Sequence, residues 1–263
     1  GVGIVDQLCS AMVQNGLSPD QARKHFWLID REGLLTDDLD GLPDFQQPYL
    51  RTKSETANWH LDDPDKITLA DVVRNVHPSV LIGCSTVKGA FTERIVKDMA
   101  KHCEHPIIMP LSNPTSRCEA EPKDLIHWTK GKALVAAGSP FAPVEFEGRR
   151  IRISQGNNAF IFPGLGLGVI ASKARRVTDT MLYKASLALS ECSPSQKDHN
   201  APLLPDFDVI LEVSEKVALA VAKQARKEGV ASVPVDENLS QLIKKNMWKP
   251  NYIPYRYVKN TSS

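Results

Sequence analysis

The sequence predicts an α/β protein in which a doubly wound parallel sheet is followed by a C-terminal helical extension. Three observations carry that prediction. Short, wholly apolar strand segments alternate with amphipathic helical ones between residues 70 and 139, and such alternation builds right-handed βαβ units whose sheet is covered on both faces. Past Asn158 the pattern changes to long helical periods. The chain has 263 residues, 42% of them hydrophobic, which is enough to bury a full core.

In order along the chain, "GVGIVDQLCSAM" leads two glycines straight into a helix, with Ile4, Leu8 and Met12 on one stripe and Asn15-Gly16 as its stop. Ser18 as cap, Pro19 at the first helical position and Gln21 at the capping-box position predict a short helix toward Lys24. "FWLID" reads as a buried strand ending in a carboxylate. Residues 36 to 66, rich in Asp, Pro, Gln and Thr, read as a surface excursion with some helix at most. Then "ADVVRNV" (helix), "SVLIG" (strand), "TERIVKDMAKH" (helix), "PIIMPL" (strand), "KDLIHWTKG" (helix) and "KALVAAGS" (strand) follow.

Beyond Asn158, "FIFPGLGLGVIASKARR", "TDTMLYKASLALSE" and "DVILEVSEKVALAVAKQARKEG" are helical, the last with Val209, Val213, Val217 and Val221 on one stripe and Gly229 as its stop. The expected organisation is one domain over residues 1–229, helical from about 159, and a tail over 230–263. The aromatic, Pro-interrupted "MWKPNYIPYRYVKN" in that tail either docks on a neighbouring subunit of a homo-oligomer or packs on its own domain.

Bulk properties narrow the partners. Lys and Arg number 32 against 31 Asp and Glu, so nothing points to nucleic acid or an acidic membrane, and a small-molecule partner fits better. Five scattered cysteines without a C-x-x-C pair suggest reduced thiols and a cytoplasmic location. No apolar run approaches the about 18 residues of a membrane span, and no signal peptide precedes the first helix.

A dinucleotide fingerprint needs glycines for a tight turn and close approach to a pyrophosphate, then an acidic residue ending the second strand. Gly1 and Gly3 are placed as the end of such a fingerprint, and Asp30, closing "FWLID", as the acid for an adenosine ribose. A carboxylate there repels a 2′-phosphate and favours NAD over NADP, a preference that Arg31 softens. The expected fold is therefore Rossmann-like, with its first strand expected upstream of this sequence. "GCSTVKGAFT" after "VLI" puts Gly83, Cys84 and Ser85 beside a cofactor, and "PLSNPT" after "IIM" puts Ser112 and Asn113 at a strand's carboxyl end. The Asn113 amide both donates and accepts, which suits a carboxamide or a carboxylate.

In "SQGNNAFIFPGLGLG", Gly156 permits close backbone approach while Asn157 and Asn158 offer two amides. Gly164, Gly166 and Gly168 are spaced G-x-G-x-G and read as small residues for helix packing rather than a phosphate loop. "KHCEHP" gathers His102, Cys103, Glu104 and His105; with no second cluster to converge on it, a solvated helix end is the reading taken over metal.

Taken together, "FWLIDREGLL", "VLIGCSTVKGAFTERIVKDMA", "PIIMPLSNPTSRCEAEP", "ALVAAGSPFAPV" and "QGNNAFIFPGLGLGVIASKARRVTD" closely resemble malic enzyme, nearest the bacterial NAD-dependent type, from Gly1 to about Gly229. The resemblance implies oxidative decarboxylation of (S)-malate to pyruvate and CO2 with reduction of NAD, assisted by Mg or Mn. It implies that a lysine base, a tyrosine acid and an acidic metal triad lie upstream of this sequence, so that the chain alone is inactive. It also implies that Gly1, Gly3, Asp30, Gly83, Cys84 and Ser85 serve the cofactor and that Asn113 and Asn158 hold malate near the nicotinamide, with Asn157 beside it; Ser112, Asn113, Gly156 and Asn157 join the expected cofactor contacts by their place in the turns. Two alternatives stay open: malolactic enzyme, which releases lactate, and a non-catalytic dinucleotide-binding or oligomerisation module.

Overall fold

The computed structural model describes residues 1–198, 200–248, 252 and 254–256. Helix α1 spans Val2–Gln14 and α2 spans Pro19–Arg23. The Ser18 hydroxyl accepts from the Gln21 N–H while the Gln21 side chain accepts from the Ser18 N–H, the reciprocal cap expected from the sequence.

"FWLID" departs from expectation. Only Ile29–Asp30 is extended (β1), both residues are exposed, and the partner is the antiparallel β2, Gly33–Leu34. Side chains hold the segment. Arg51, almost fully buried, donates to the carbonyls of Lys24 and Phe26, pairs with Glu55 and lies 3.8 Å above the Trp27 ring. The excursion over residues 36–66 contains one 3-10 turn, Gln47–Tyr49, and one short helix, α3 (Lys53–Thr56).

The βαβ region follows the predicted order: α4 (Leu69–Val76), β3 (Val80–Gly83), α5 (Glu93–His102), β4 (Ile107–Pro110), α6 (Pro122–Trp128) and β5 (Leu134–Ala137). Two features were not anticipated. Strands β6 (Val144–Phe146) and β7 (Arg149–Ile151) form a hairpin through Glu147 and Gly148, both at positive φ, 48° and 74°, the backbone of a tight primed turn. Directly after it, β8 (Ser154–Gln155) joins the sheet. The sheet order is β3-β4-β5-β8 and every pairing is parallel. Val96, Met99, Ile108, Leu125 and Ile126, all fully buried, centre its core.

The remaining helices are α7 (Phe162–Ser172), α8 (Asp179–Ser190), α9 (Ile210–Lys227) and α10 (Leu239–Asn246). A Cβ on Gly164 would sit 2.6 Å from Val217 Cβ, and one on Gly168 would sit 2.6 Å from the Ala218 carbonyl oxygen; a Cβ on Gly166 would meet nothing within 4 Å. Two of the three glycines thus bring α7 against α9, as the packing reading requires, and the third does not. Val213, Val217 and Val221 line the buried stripe of α9, whereas Val209 stands outside it and is exposed.

The stretch after Gly229 is no free tail as far as Asn246. Asn238 caps α10, and Leu239 and Ile243 are buried with Ala171, Ala218, Ala222 and Val233 in one cluster. Trp248, Tyr252 and Tyr255 are exposed; most of the aromatic segment expected to dock lies outside the described residues.

Candidate functional site

Parallel strands end along one edge, and open α/β sheets take ligands at the carboxyl ends of their strands. Backbone bonds carry the strand ends across that edge. Leu111 N donates to Gly83 O at 2.9 Å, Gly138 N to Pro110 O at 3.1 Å and Gly156 N to Ala137 O at 2.8 Å. The turns Gly83–Ser85, Ser112–Asn113, Gly138–Ser139 and Gly156–Asn158 therefore form a continuous row.

Within the row the two sequence-proposed asparagines present free donors. Asn113 is exposed and its Oδ1 accepts from the Ser139 hydroxyl. That bond fixes the amide plane and leaves the NH2 group, which makes no hydrogen bond among the described residues, as an available donor. Ser139 escaped the sequence reading, because a serine in "GSP" carries no signal of its own. The adjacent amides at 157 and 158 differ in use. Asn157 Oδ1 accepts from Ala159 N at 2.9 Å and caps the 3-10 turn Asn158–Phe160, while the Asn158 side chain is exposed and makes no hydrogen bond among the described residues.

Glu119 lies beneath the row, fully buried, and no motif had singled it out. Its Oε1 accepts from Ser85 N at 2.8 Å, from Ser85 Oγ at 2.9 Å and from Ser112 Oγ, and its Oε2 accepts from Ser112 N at 3.3 Å. A Cβ on Gly83 would come within 2.6 Å of Glu119 Cδ, so that glycine makes room for the carboxylate. Burial pushes the Glu119 carboxyl up, yet the Ser112 hydroxyl and the Ser85 N–H bond the anion and hold it below the ordinary glutamate range. A depressed carboxyl stabilises the fold above its unfolded pKa and loses that contribution as pH falls through its folded value. The stability difference between wild type and Glu119→Gln, measured as urea midpoints over a pH series, is accordingly expected to be constant near neutrality and to shrink below about pH 4.3; a difference that grows on acidification would contradict it.

Of the remaining candidates, Asp30, Gly1 and Gly3 lie elsewhere, while Cys84 and Ser85 belong to the row. Asp30 is exposed at the end of β1; Oδ1 accepts from Arg31 N at 2.8 Å and Oδ2 from Gln46 Nε2 at 3.0 Å. Each oxygen keeps acceptor capacity for a hydroxyl. Its strand, however, belongs to the two-stranded β1-β2 sheet and not to the parallel sheet, and none of its hydrogen bonds reaches the row. Gly1 and Gly3 are exposed at the start of α1, where a Cβ would meet nothing within 4 Å. Cys84 and Ser85 are exposed in the turn after β3.

Among the described residues no group of three or more His, Cys, Asp and Glu can hold a metal ion. His102, in "KHCEHP", stacks on His77 with ring centroids 3.6 Å apart. No helix of the described residues is long and apolar enough to cross a membrane. The side chains available in the row are neutral amides, hydroxyls and the Cys84 thiol, a set that fits a carboxamide and does not make a divalent-metal site. Asp30, outside the row, offers acceptors of the kind a ribose hydroxyl uses.

Comparison with known proteins gives a consistent result. The family model described as malic enzyme, NAD binding domain, matches residues 1–226. The NAD-dependent malic enzyme of Sodalis glossinidius is 54% identical over 256 residues, covering 97% of this chain and 45% of that protein, and that of Photorhabdus laumondii is 53% identical over the same shares. The chain thus spans about half the length of the curated relatives it matches. The crystal structure of Entamoeba histolytica malic enzyme superposes with a TM-score of 0.62 at 24% identity, over 82% of this chain and 40% of that one. The malic enzyme of Pyrococcus horikoshii gives 0.57 at 24% identity, over 81% and 43%. These two likenesses confirm the Rossmann-like α/β fold.

Proposed function

This chain belongs to the malic enzyme family through its NAD-binding domain, and on that ground we propose that it forms the nucleotide half of an enzyme converting (S)-malate and NAD to pyruvate, CO2 and NADH. The observation that carries the reading is the Asn113 NH2 group, fixed through its oxygen by Ser139 and set in one row with the Asn158 turn. NAD supplies the hydride acceptor. The chain's own part is to bind and to orient. The Asn113 and Asn158 amides donate to carboxylate or carboxamide oxygens and so restrict how substrate and nicotinamide meet, Asn157 keeps the 158 turn in shape, and Asp30 accepts from ribose hydroxyls.

Proton transfer and the binding of Mg or Mn belong, in this reading, to the part of the relatives' length that this chain does not span. A cytoplasmic, homo-oligomeric enzyme is part of the same proposal. The test is turnover. The full-length protein carrying this chain, given malate, Mn and NAD, is expected to release pyruvate and form NADH faster than NADPH from NADP, whereas the chain alone forms none. Lactate as the product would favour malolactic chemistry, nucleotide binding without turnover would favour a non-catalytic module, and NADH formation by the chain alone would overturn the division of labour.

A further inference from the structure

Glu119 is a fully buried carboxylate that the proposed reaction leaves unused. A carboxylate removed from water is costly unless it is paired or fully hydrogen-bonded. This one forms no ion pair among the described residues; its partners are two serine hydroxyls and two backbone N–H groups. Those donors come from two separate turns, Ser85 after β3 and Ser112 after β4. Each serine hydroxyl gives its proton to Glu119 and accepts an N–H from the first turn: Val87 N donates to Ser85 Oγ at 3.1 Å, and Thr86 N donates across to Ser112 Oγ at 2.9 Å. One anion therefore sets the direction of both hydroxyls, and through them the path of the backbone from Ser85 to Val87.

The turn that is held in this way is strained. Thr86 has a φ of 58°, a left-handed conformation that a β-branched residue avoids and that persists only where its surroundings impose it. Here the imposing contact is the Ser112 hydroxyl, itself oriented by Glu119.

We propose that Glu119 is a positioning residue for the nucleotide site, an anionic clamp that locks the turns after β3 and β4 into one wall and keeps Thr86 left-handed. The proposal rests on the functional reading above in placing a nucleotide against that wall. It adds that the wall is one mechanical unit, so loosening at Ser85 and at Ser112 must occur together.

Two readouts on this chain test the proposal separately from that reading. The first is amide hydrogen exchange by NMR. In Glu119→Gln, whose side-chain amide presents a donor where the carboxylate offered only acceptors, the Ser85, Thr86 and Ser112 amides should all exchange at least about tenfold faster, while the Ile108 amide in β4 stays protected. Faster exchange in one turn alone, or in neither, overturns the clamp. The second is NAD affinity by titration calorimetry. Kd should rise about tenfold or more in Glu119→Gln and recover in part when Thr86→Gly is added, because glycine takes the left-handed conformation without the clamp. Unchanged affinity in Glu119→Gln overturns the positioning role, as does a double variant with no recovery. If the wild-type chain shows no NAD binding, the functional reading fails while the exchange result still decides the clamp. Should Glu119→Gln not fold, Thr86→Gly alone decides, since a strained threonine requires Tm to hold or rise and a fall in Tm refutes the strain.

Discussion

Asn113→Ala and Asn158→Ala, each made in the full-length protein, are expected to raise KM for malate and to lower kcat, with kcat/KM falling about a hundredfold in each case. An amide that orients a reacting carbon against the nicotinamide acts on binding and on the transition state together, and misplacement by about 1 Å can cost about 10²-fold. The two side chains differ in how they are held. Asn113 is fixed from behind by Ser139, so Ser139→Ala should reproduce part of the Asn113→Ala defect by letting the amide turn. Asn158 is carried on a turn capped by Asn157, so Asn157→Ala should disturb the same step indirectly and also cost about 1 kcal/mol of stability as a lost cap. Steady-state kinetics with malate and NAD varied in turn measure these effects. Unchanged constants in both asparagine variants would remove them from the site.

A second series separates the three glycines of α7. Gly164→Ala and Gly168→Ala should each destabilise the protein by about 1–3 kcal/mol, because the added methyl group meets Val217 and the Ser214 carbonyl in one case and the Ala218 carbonyl and Val221 in the other. Gly166→Ala should stabilise it by about 0.5–1 kcal/mol, since the site is open and alanine restricts the unfolded chain. In thermal melts each kcal/mol corresponds to about 2–4 °C for a domain of this size. Three similar shifts would show that α7 and α9 do not approach as closely as the structure places them.

Much of the fold was legible because it is locally encoded. The Ser18-Pro19-Gln21 cap, the apolar runs at 80–83 and 107–110 and the valine stripe of α9 all state their structure within a few residues. What escaped reading depends on distant partners. "FWLID" has the composition of a buried strand, but a strand needs a neighbouring ladder, and the segment instead forms two residues of an antiparallel pair beside Arg51. The 144–151 hairpin turns on Glu147 at positive φ, which glutamate does not advertise. Helix α10 looked like part of a tail because its short apolar face is decided by α7 and α9.

The site divides along the same line. From the letters alone came the placing of Asn113 and the Gly83 turn at the carboxyl ends of strands, since an apolar run followed by a turn fixes where a strand must stop; that Asn158 follows a strand of the same sheet, β8, came from the structure. Only the folded chain decided that Asn157 caps while Asn158 stays free, that Ser139 orients Asn113, that Asp30 stands outside the parallel sheet, and that Glu119 ties two turns together. Periodicity and capping are properties of neighbours in sequence, whereas the burial of a charge and the partner of a strand are set by residues brought together across the chain.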